Sequence, residues 1–369
     1  MLATDNLTEA DRLMKVCNSC RYCEWLCAVF TAMELRRVFA SGDLNYIANL
    51  CHACGACYDD CQFAPPHEFE VNVPQTLARL RRESWESYAW PAGLRGLYRR
   101  NGMAVALIAA LSIAGFLIGF AAWRGTAVLF GQHTGPGAFY RLMPHNALAM
   151  LFGSVFLYAI LAIAMGVRVF WREAEAARPL RVDSGSVWQA IWNVGSLRYL
   201  DGGGAGCVNH DEEPADQRRF YHHFAFYGFL LCFAATCVAT LYHYLLGREA
   251  AYPWYDLPMM LGTVGGVGLV IGPVGLLLAR RGSRRELSDL KQSGMDQAFT
   301  LMLLLTSLTG LALLVLRSTS AMGLLLALHL GVVFALFLTM PYGRFVHGVY
   351  RFAALVRYAA EMRLNSAHA

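Results

Sequence analysis

Six long apolar stretches constrain the fold of this chain more than any other feature of its sequence. They cover roughly residues 103–122, 146–170, 223–246, 257–279, 297–316 and 321–342. Each is long enough to cross about 30 Å of hydrocarbon as a helix. Backbone groups in hydrocarbon must be satisfied within the segment, so six transmembrane helices are predicted. The chain as a whole is 56% hydrophobic, which is typical of a membrane protein.

The placement of arginines predicts how these helices are oriented. Cytoplasmic loops of membrane proteins carry an excess of Lys and Arg. The segments before the first stretch and after the second, fourth and sixth are rich in arginine, and the alternate connections carry only Arg124, Arg141, Arg248 and Arg317. Both termini are therefore expected in the cytoplasm, with the bundle in the bacterial cytoplasmic (inner) membrane. The lipid bilayer is an expected partner, and nucleic acid is not, because no basic run resembles a nucleic-acid-binding arm.

Eight of the eleven cysteines lie in two blocks near the start of the chain, CNSCRYCEWLC and CHACGACYDDC. Both read C-x2-C-x2-C-x3-C, the spacing of bacterial two-cluster ferredoxins, in which the fourth cysteine of each block binds the other cluster. Two [4Fe-4S] clusters are therefore predicted. The expected ligands are Cys17, Cys20, Cys23 and Cys61 for the first cluster, and Cys51, Cys54, Cys57 and Cys27 for the second.

The alternative for these blocks is a pair of zinc sites. Zinc sites usually combine two separated C-x2-C elements, so the doubled block favours iron–sulfur. The sequence departs from the ferredoxin pattern in one respect, because Ala28 and Gln62 replace the proline that usually follows the fourth cysteine. Helical patterns between and after the blocks predict a helical domain over residues 1–90, followed by the membrane bundle over residues 91–369.

Histidines in the apolar stretches are candidate axial ligands of haem b. His329 and His347 are 18 residues apart, which is five helical turns, so on one helix they share a face about 27 Å apart. The third stretch carries His222 and His223 at its cytoplasmic start and His243 near its outer end. The two stretches run in opposite directions, so His347 is expected near His222 or His223. By the same argument, His243 is expected near His329. Paired imidazoles on neighbouring helices are how helical bundles hold haem.

The number of haems stays open at one or two. A histidine near a helix end is also a common interfacial hydrogen-bonding residue. His243 and His329 differ in depth, and His145 at the outer start of the second stretch is a further candidate. His52 and His133 are expected to be loop or surface residues, as are His67, His210 and His368. Cys232 and Cys237, in an apolar run, are expected to be packing residues.

A cytoplasmic loop of about fifty residues, 172–221, joins the second and third stretches. Loops of this length are usually functional or disordered. Its segment VWQAIWNVGSLRYL predicts an interfacial amphipathic helix. Its GGGAG run is either a flexible linker or a point of close backbone approach, and it lacks the strand-associated G-x-G-x-x-G of a dinucleotide site.

The whole pattern resembles a known family. The two cysteine blocks, joined to YHHFAFYGFLLCFAATCVATLYHYL and ALHLGVVFALFLTMPYGRFVHGVYR, resemble the tricarballylate/citrate utilisation protein B family over nearly the whole chain. The first part is similar to the small iron–sulfur subunit of heterodisulfide reductase. The second is similar to the cytochrome b subunit of respiratory nitrate reductase. The expected fold is therefore all-α, a helical two-cluster ferredoxin-like domain followed by a six-helix cytochrome b-like bundle.

The residues themselves predict an electron-transfer component rather than a stand-alone substrate enzyme, with a quinone as the natural acceptor. The resemblance implies that a soluble FAD-dependent tricarballylate dehydrogenase supplies the electrons. Two other interpretations stay open. The chain is alternatively the anchor of another dehydrogenase or of a heterodisulfide reductase-like complex, or it is an iron–sulfur redox sensor fixed in the membrane. The sensor predicts that haem is absent.

Overall fold

A computed structural model describes residues 4–24, 26–200, 207–208, 214–215, 217–282 and 284–366 of the protein. Nearly all regular structure in these residues is α-helical, and the predicted all-α fold is confirmed. Two short strands, β1 (Cys207–Val208) and β2 (Pro214–Ala215), pair antiparallel. The glycine run at residues 202–206, the side chain of Cys207, His210 and His368 lie outside the described residues.

Five helices form the cysteine-bearing part of the chain. They are α1 (Asp5–Cys20), α2 (Ala28–Glu34), α3 (Ser41–Leu50), α4 (Ala56–Asp59) and α5 (Val73–Tyr88). The Thr4 hydroxyl accepts a hydrogen bond from the backbone N–H of Leu7 and so caps α1. The Asn72 side chain caps α5 in the same way. Such caps satisfy N–H groups that have no partner within the helix.

Six helices are long and apolar enough to cross a membrane, as the sequence predicts. They are α6 (Asn101–Arg124), α8 (His145–Ala177), α10 (Gln217–Leu246), α11 (Leu257–Arg281), α12 (Ser293–Leu316) and α13 (Met322–Thr339). Three further helices are α7 (Thr126–Leu129), α9 (Ser184–Gly195) and α14 (Val346–Ser366). The amphipathic helix expected in the long loop corresponds to α9.

The sixth apolar stretch does not continue as one helix to His347. Helix α13 ends at Thr339, a 3-10 turn covers Met340–Tyr342, and Gly343 is extended. Pro341 has no backbone N–H to donate and therefore ends the regular hydrogen-bond ladder. His329 and His347 thus lie on two helices, α13 and α14, and the expectation that they share one helical face is wrong.

Glycines let α10 and α11 pack with their backbones close together. A Cβ added at Gly272 would lie 2.5 Å from the backbone nitrogen of Ala225, and one at Gly265 would lie 2.8 Å from that of Cys232. Small residues at such interfaces are a general device of membrane helices. The close packing fixes the position of α10, whose first two turns carry His222 and His223.

The cysteine-bearing helices and the C-terminal helix share one hydrophobic core. It includes Leu7 of α1, Ile47 of α3, Trp85 of α5, Phe170 of α8 and Ala354 of α14. Residues from both parts of the chain therefore stabilise each other through burial.

A buried ion-pair network joins the same parts. Arg36, just after α2, pairs with Asp43 and with Glu361 of α14, each at 2.6 Å. The Tyr46 hydroxyl donates to Glu361 at 3.1 Å, and Arg357 lies 3.3 Å from the same carboxylate. All five side chains are buried, so the opposite charges within the network compensate each other away from water.

Candidate functional site

The first cysteine block begins on α1 and leaves it through a left-handed turn. Cys17 and Cys20 lie in the last turn of α1, and Arg21 follows with φ of 57°. This turn ends the helix and carries the chain round to Cys23. Cys27 comes last, with extended backbone, at the N-terminus of α2.

The second block is built on a similar turn. Cys51 follows α3, and the chain then passes through two left-handed residues, Ala53 and Gly55, with φ of 50° and 94°. Glycine adopts this conformation without strain. Helix α4 then carries Cys57, with Cys61 just beyond its end.

Two cavities bring these cysteines together. One is lined by Cys17, Cys20, Cys23 and Cys61. The other is lined by Cys27, Cys51, Cys54 and Cys57. Each cavity thus receives three cysteines from one block and the fourth from the other. Cys57 also borders the first cavity, so the two cavities are neighbours.

The thiols in each cavity are close enough to influence one another. Burial raises the pKa of Cys17 to about 12, with Cys23 and Cys61 adding to the effect. Burial likewise raises the pKa of Cys27 to about 12, with Cys51 and Cys54 adding. Thiolates so crowded need a bound cation to offset their charge.

This donor set fits iron–sulfur clusters. No three His, Cys, Asp or Glu side chains in the described residues are placed to hold a single metal ion. The eight cysteines instead line two neighbouring cavities, and Cys57 borders both. Four thiolates are the usual ligand set of a [4Fe-4S] cluster.

His222 of α10 and His347 of α14 face each other where α10 begins. Their ring centres are 6.1 Å apart and the rings are inclined by 74°. Two imidazoles that bind one metal from opposite sides, each at about 2 Å, have ring centres roughly 6 Å apart. The pair therefore fits the axial ligands of a haem.

The hydrogen bonding of this pair also suits metal ligation. His347 Nδ1 lies 2.6 Å from the carbonyl oxygen of Arg344. A carbonyl only accepts, so Nδ1 carries the proton and Nε2 keeps its lone pair. Among the described residues, His222 Nδ1 is buried without a hydrogen-bond partner. The neighbouring His223 instead stacks on Tyr227, with ring centres 6.0 Å apart, so His222 is the residue that the structure places against His347.

The expected pairing of His243 with His329 is not the one found. His243 stacks face to face on His145, with ring centres 3.5 Å apart and an interplanar angle of 17°. Nδ1 of His329 lies 3.1 Å from the Thr309 hydroxyl on α12. Histidine spacing along one helix cannot specify which neighbouring helix it faces, so both contacts differ from the expectation. Rings stacked at 3.5 Å leave no room for a haem between them, whereas the 6.1 Å separation of His222 and His347 leaves that room.

Comparison with known proteins decides the family. A family model described as citrate utilization protein B matches residues 96–368. A second, for the citrate utilization protein B Fer4-like domain, matches residues 10–87. The chain belongs to the citrate utilization protein B family. It is 50% identical over 363 residues to the Citrate utilization protein B of Escherichia coli, which covers 98% of this chain and 94% of that protein. No solved structure matches.

Within the citrate utilization protein B family, the Fer4-like domain model covers all eight clustered cysteines. The family expected from the sequence is thereby confirmed. The match supports iron–sulfur clusters in this part of the chain, as the geometry of the two cavities does.

His52 lies in a loop, as expected, and it also lines the second cysteine cavity. Its Nδ1 is buried and has no hydrogen-bond partner among the described residues. Burial, with Arg351 and Arg218 nearby, holds the pKa of His52 well below its usual range. Its position directly after Cys51 was the available signal. His133 is also buried, with Nε2 2.8 Å from the Val128 carbonyl.

Four arginines around the histidine pair were missed from the sequence. Arg81 and Arg351 each donate to the Cys51 carbonyl at 2.5 Å. Arg218 donates to the Ala53 carbonyl at 3.3 Å. Arg344 forms an ion pair with Asp296 at 3.3 Å. Three of the four lie within one helical turn of a candidate haem ligand, and that spacing is visible in the sequence.

Proposed function

We propose that this chain is a membrane electron-transfer protein that takes electrons from a soluble flavoprotein dehydrogenase and delivers them to the quinone pool. Its cofactors are two [4Fe-4S] clusters and one b-type haem. When bound, such groups accept and release single electrons. Cys17, Cys20, Cys23 and Cys61 hold the first cluster, Cys27, Cys51, Cys54 and Cys57 hold the second, and His222 and His347 hold the haem.

The observation that carries this proposal is that a residue one turn from the histidine pair contacts the second cysteine block. Arg351, one turn after His347 on α14, donates to the carbonyl of Cys51. His52, directly after Cys51, lines the same cavity. The two candidate cofactor sites are thus adjacent, which short-range electron transfer requires.

The first cavity is the nearer one to the surface. Tyr22, which lines it, is 69% exposed. A protein partner therefore approaches the first cluster site, and the second site lies between it and the membrane bundle. This order supports transfer from a soluble donor toward the membrane.

The contacts of the cysteine domain support a cytoplasmic position for residues 1–90, and for both termini, at one end of the bundle formed by residues 91–369. Arg178, after α8, donates to the Leu35 carbonyl at 2.9 Å. Asp289, between α11 and α12, pairs with Arg82 at 2.5 Å. Both contacts involve loops that the arginine distribution assigns to the cytoplasm. We therefore place the bundle in the inner membrane of a bacterial cell, with the cysteine domain on its cytoplasmic side.

The family description supports a role in citrate or tricarballylate utilisation. The family resemblance implies a partner, an FAD-dependent dehydrogenase that oxidises tricarballylate to cis-aconitate. That oxidation releases two electrons and two protons, and reduction of a quinone to a quinol consumes the same number. The chain then reoxidises the flavin and does not itself bind the tricarboxylate.

Spectroscopy of histidine variants tests the haem assignment. The protein is purified anaerobically in detergent, and its visible spectrum is recorded before and after addition of a quinol analogue. The wild type is expected to show a reduced haem b band. His222→Ala and His347→Ala are expected to lose it because each removes an axial ligand, whereas His223→Ala retains it.

Full haem content in both His222→Ala and His347→Ala would refute the assignment. A wild type without haem even after dithionite reduction would favour the redox-sensor interpretation. Substrate-dependent quinone reduction by the purified dehydrogenase, with and without this chain, tests the direction of transfer. Unchanged quinone reduction without the chain would refute the proposed partner.

A further inference from the structure

We propose that Arg218, Arg344 and Arg351, together with Arg81, form an anion site that binds the two carboxylate groups of the haem held between His222 and His347. This inference rests on the haem in the proposed function. It adds the residues that recognise the porphyrin's charged edge, separately from those that hold its iron.

The first argument is position along the two helices. Arg218 and His222 are four residues apart on α10, and so are His347 and Arg351 on α14. Residues at this spacing lie on the same helical face. Arg344 is held beside His347 because its carbonyl accepts the Nδ1–H. One helical turn rises about 5.4 Å. A ligand centred between the two imidazoles, with charged groups at its edge, would therefore place those groups near these guanidiniums.

The second argument is unbalanced charge. In the described part of the chain, the ion pairs of these four arginines are limited to that of Arg344 with Asp296. Asp296 also lies 3.6 Å from Arg280, so its single charge is shared. Arg81 is only 4% exposed, and its Nε is buried without a hydrogen-bond partner among the described residues. Arg218, Arg344 and Arg351 are half-buried. Guanidiniums clustered in this way favour further anions besides the thiolates of the second cysteine block.

The third argument concerns which anion fits. Carboxylates match the planar donor pattern of guanidinium groups. The site lies beside apolar side chains of the bundle, where Phe229 and Phe345 are in ring contact at 5.6 Å. A ligand with a large apolar body and two carboxylates at one edge fits both the apolar side chains and the arginines. Haem b has this form, and its iron would lie between the paired histidines.

The hydrogen bonds that these arginines already form do not use all of their N–H donors. A guanidinium has five N–H donors, and Arg351 uses Nε and Nη2 on the carbonyls of Asn49 and Cys51. Arg218 uses Nη1 on Ala53. The same side chains thus attach the second cysteine block and present further donors to an anion.

The inference is tested by comparing how arginine variants and the wild type bind haem b and a modified haem. The full-length protein is produced without haem and titrated in detergent with haem b or with its dimethyl ester, whose carboxylates are neutral. The wild type should bind the ester at least about tenfold more weakly than haem b, because hydrogen bonds between charged groups are worth roughly that factor or more. Arg218→Gln and Arg344→Gln should each reduce this ratio severalfold.

Arg219→Gln is the matched control. It removes the same charge from the adjacent position, where the guanidinium bonds the Ser196 carbonyl at 3.1 Å, and it should leave the ratio unchanged. Iron and sulfide content per chain shows that each variant has kept its folded cysteine domain. Because the ratio compares two ligands on one variant, a general loss of stability cancels.

Equal wild-type affinity for haem b and its ester would overturn the inference while leaving the haem in place. So would arginine variants that keep the wild-type ratio, in which case the arginines serve the second cluster alone. A wild type that binds neither porphyrin would instead remove the haem from the proposed function, and the anion site with it.

Discussion

At the scale of the residue, the assignment that depends most on the fold is the exchange of cysteines between the two blocks. Cys27 lines the cavity of the second block, and Cys61 lines that of the first. The local turns at Arg21, Ala53 and Gly55 bend each loop around its own cavity. The fourth cysteine of each block reaches the other cavity because the two loops pack against each other.

Single cysteine variants should therefore fall into two groups. Cys27→Ser and Cys54→Ser are both expected to remove the second cluster, and Cys17→Ser and Cys61→Ser the first, because serine is a poor ligand for iron. Each variant should retain roughly half of its iron, as four thiolates hold each cluster. Iron and sulfide analysis, with paramagnetic resonance of the reduced protein, identifies the cluster that remains.

Cys237→Ser is the control for this series, since Cys237 is an exposed residue of α10 away from both cavities. It should keep all its iron. If Cys27→Ser loses the same cluster as Cys17→Ser, the exchange of cysteines between the blocks is disproved.

At the scale of the element, the contact between α10 and α11 decides where His222 lies. Gly228 of α10 meets the backbone of α11 at Gly265, and Gly272 of α11 meets the backbone of α10 at Ala225. Neither helix has a regular amphipathic pattern that would reveal this seam. The break at Pro341 is the second decisive feature, because it gives His347 a helix of its own.

Gly272→Ala is expected to lower the free energy of unfolding by about 1–3 kcal/mol, the usual cost of overpacking. The added methyl group would lie 2.5 Å from the backbone nitrogen of Ala225, so one helix must move. Thermal unfolding in detergent measures the change, and haem content shows whether His222 has been displaced.

Gly115→Ala on α6 is the matched substitution, because an added Cβ there has no atom within 4 Å. Alanine favours helix over glycine by about 1 kcal/mol, so stability should stay the same or rise. Equal destabilisation by both substitutions would contradict the proposed seam.

At the scale of the whole molecule, the cysteine domain is part of the membrane protein's core rather than an appended module. Arg36 and Tyr46 of this domain share the Glu361 carboxylate of α14. Tyr88 of α5 donates to Glu173 of α8 at 2.5 Å. The position of the cysteine domain relative to the bundle is therefore fixed by buried polar contacts as well as by apolar packing.

Glu361→Gln should destabilise the protein by about 3–5 kcal/mol, the usual cost of removing one partner from a buried ion pair. The change leaves Arg36 and Arg357 buried with less compensating charge. Thermal unfolding measures the loss, and protease sensitivity of the cysteine domain locates it.

Glu9→Gln provides the comparison at the surface. Glu9 pairs with Arg12 at 2.7 Å, but the side chains are 39% and 42% exposed. Exposed pairs contribute about 0–1 kcal/mol, so this variant should unfold near the wild-type temperature. If Glu361→Gln behaves like Glu9→Gln, the network does not hold the two parts together.

The sequence by itself determined the features that repeat at short spacing. Apolar runs long enough for a membrane predicted six helices, and the spacing within each cysteine block predicted the iron–sulfur domain. Its resemblance to a family was confirmed as well. Each of these depends on residues close together in the chain, whose spacing directly reflects helical geometry or metal coordination.

Only the tertiary structure decided which distant residues meet. It placed His222 rather than His223 against His347, set His145 against His243, and gave His329 the Thr309 hydroxyl. Helical periodicity defines a face but leaves open which helix lies opposite that face. That choice follows from close packing at glycines, from the break at Pro341 and from buried charges such as Glu361. These contacts form between residues far apart in the chain.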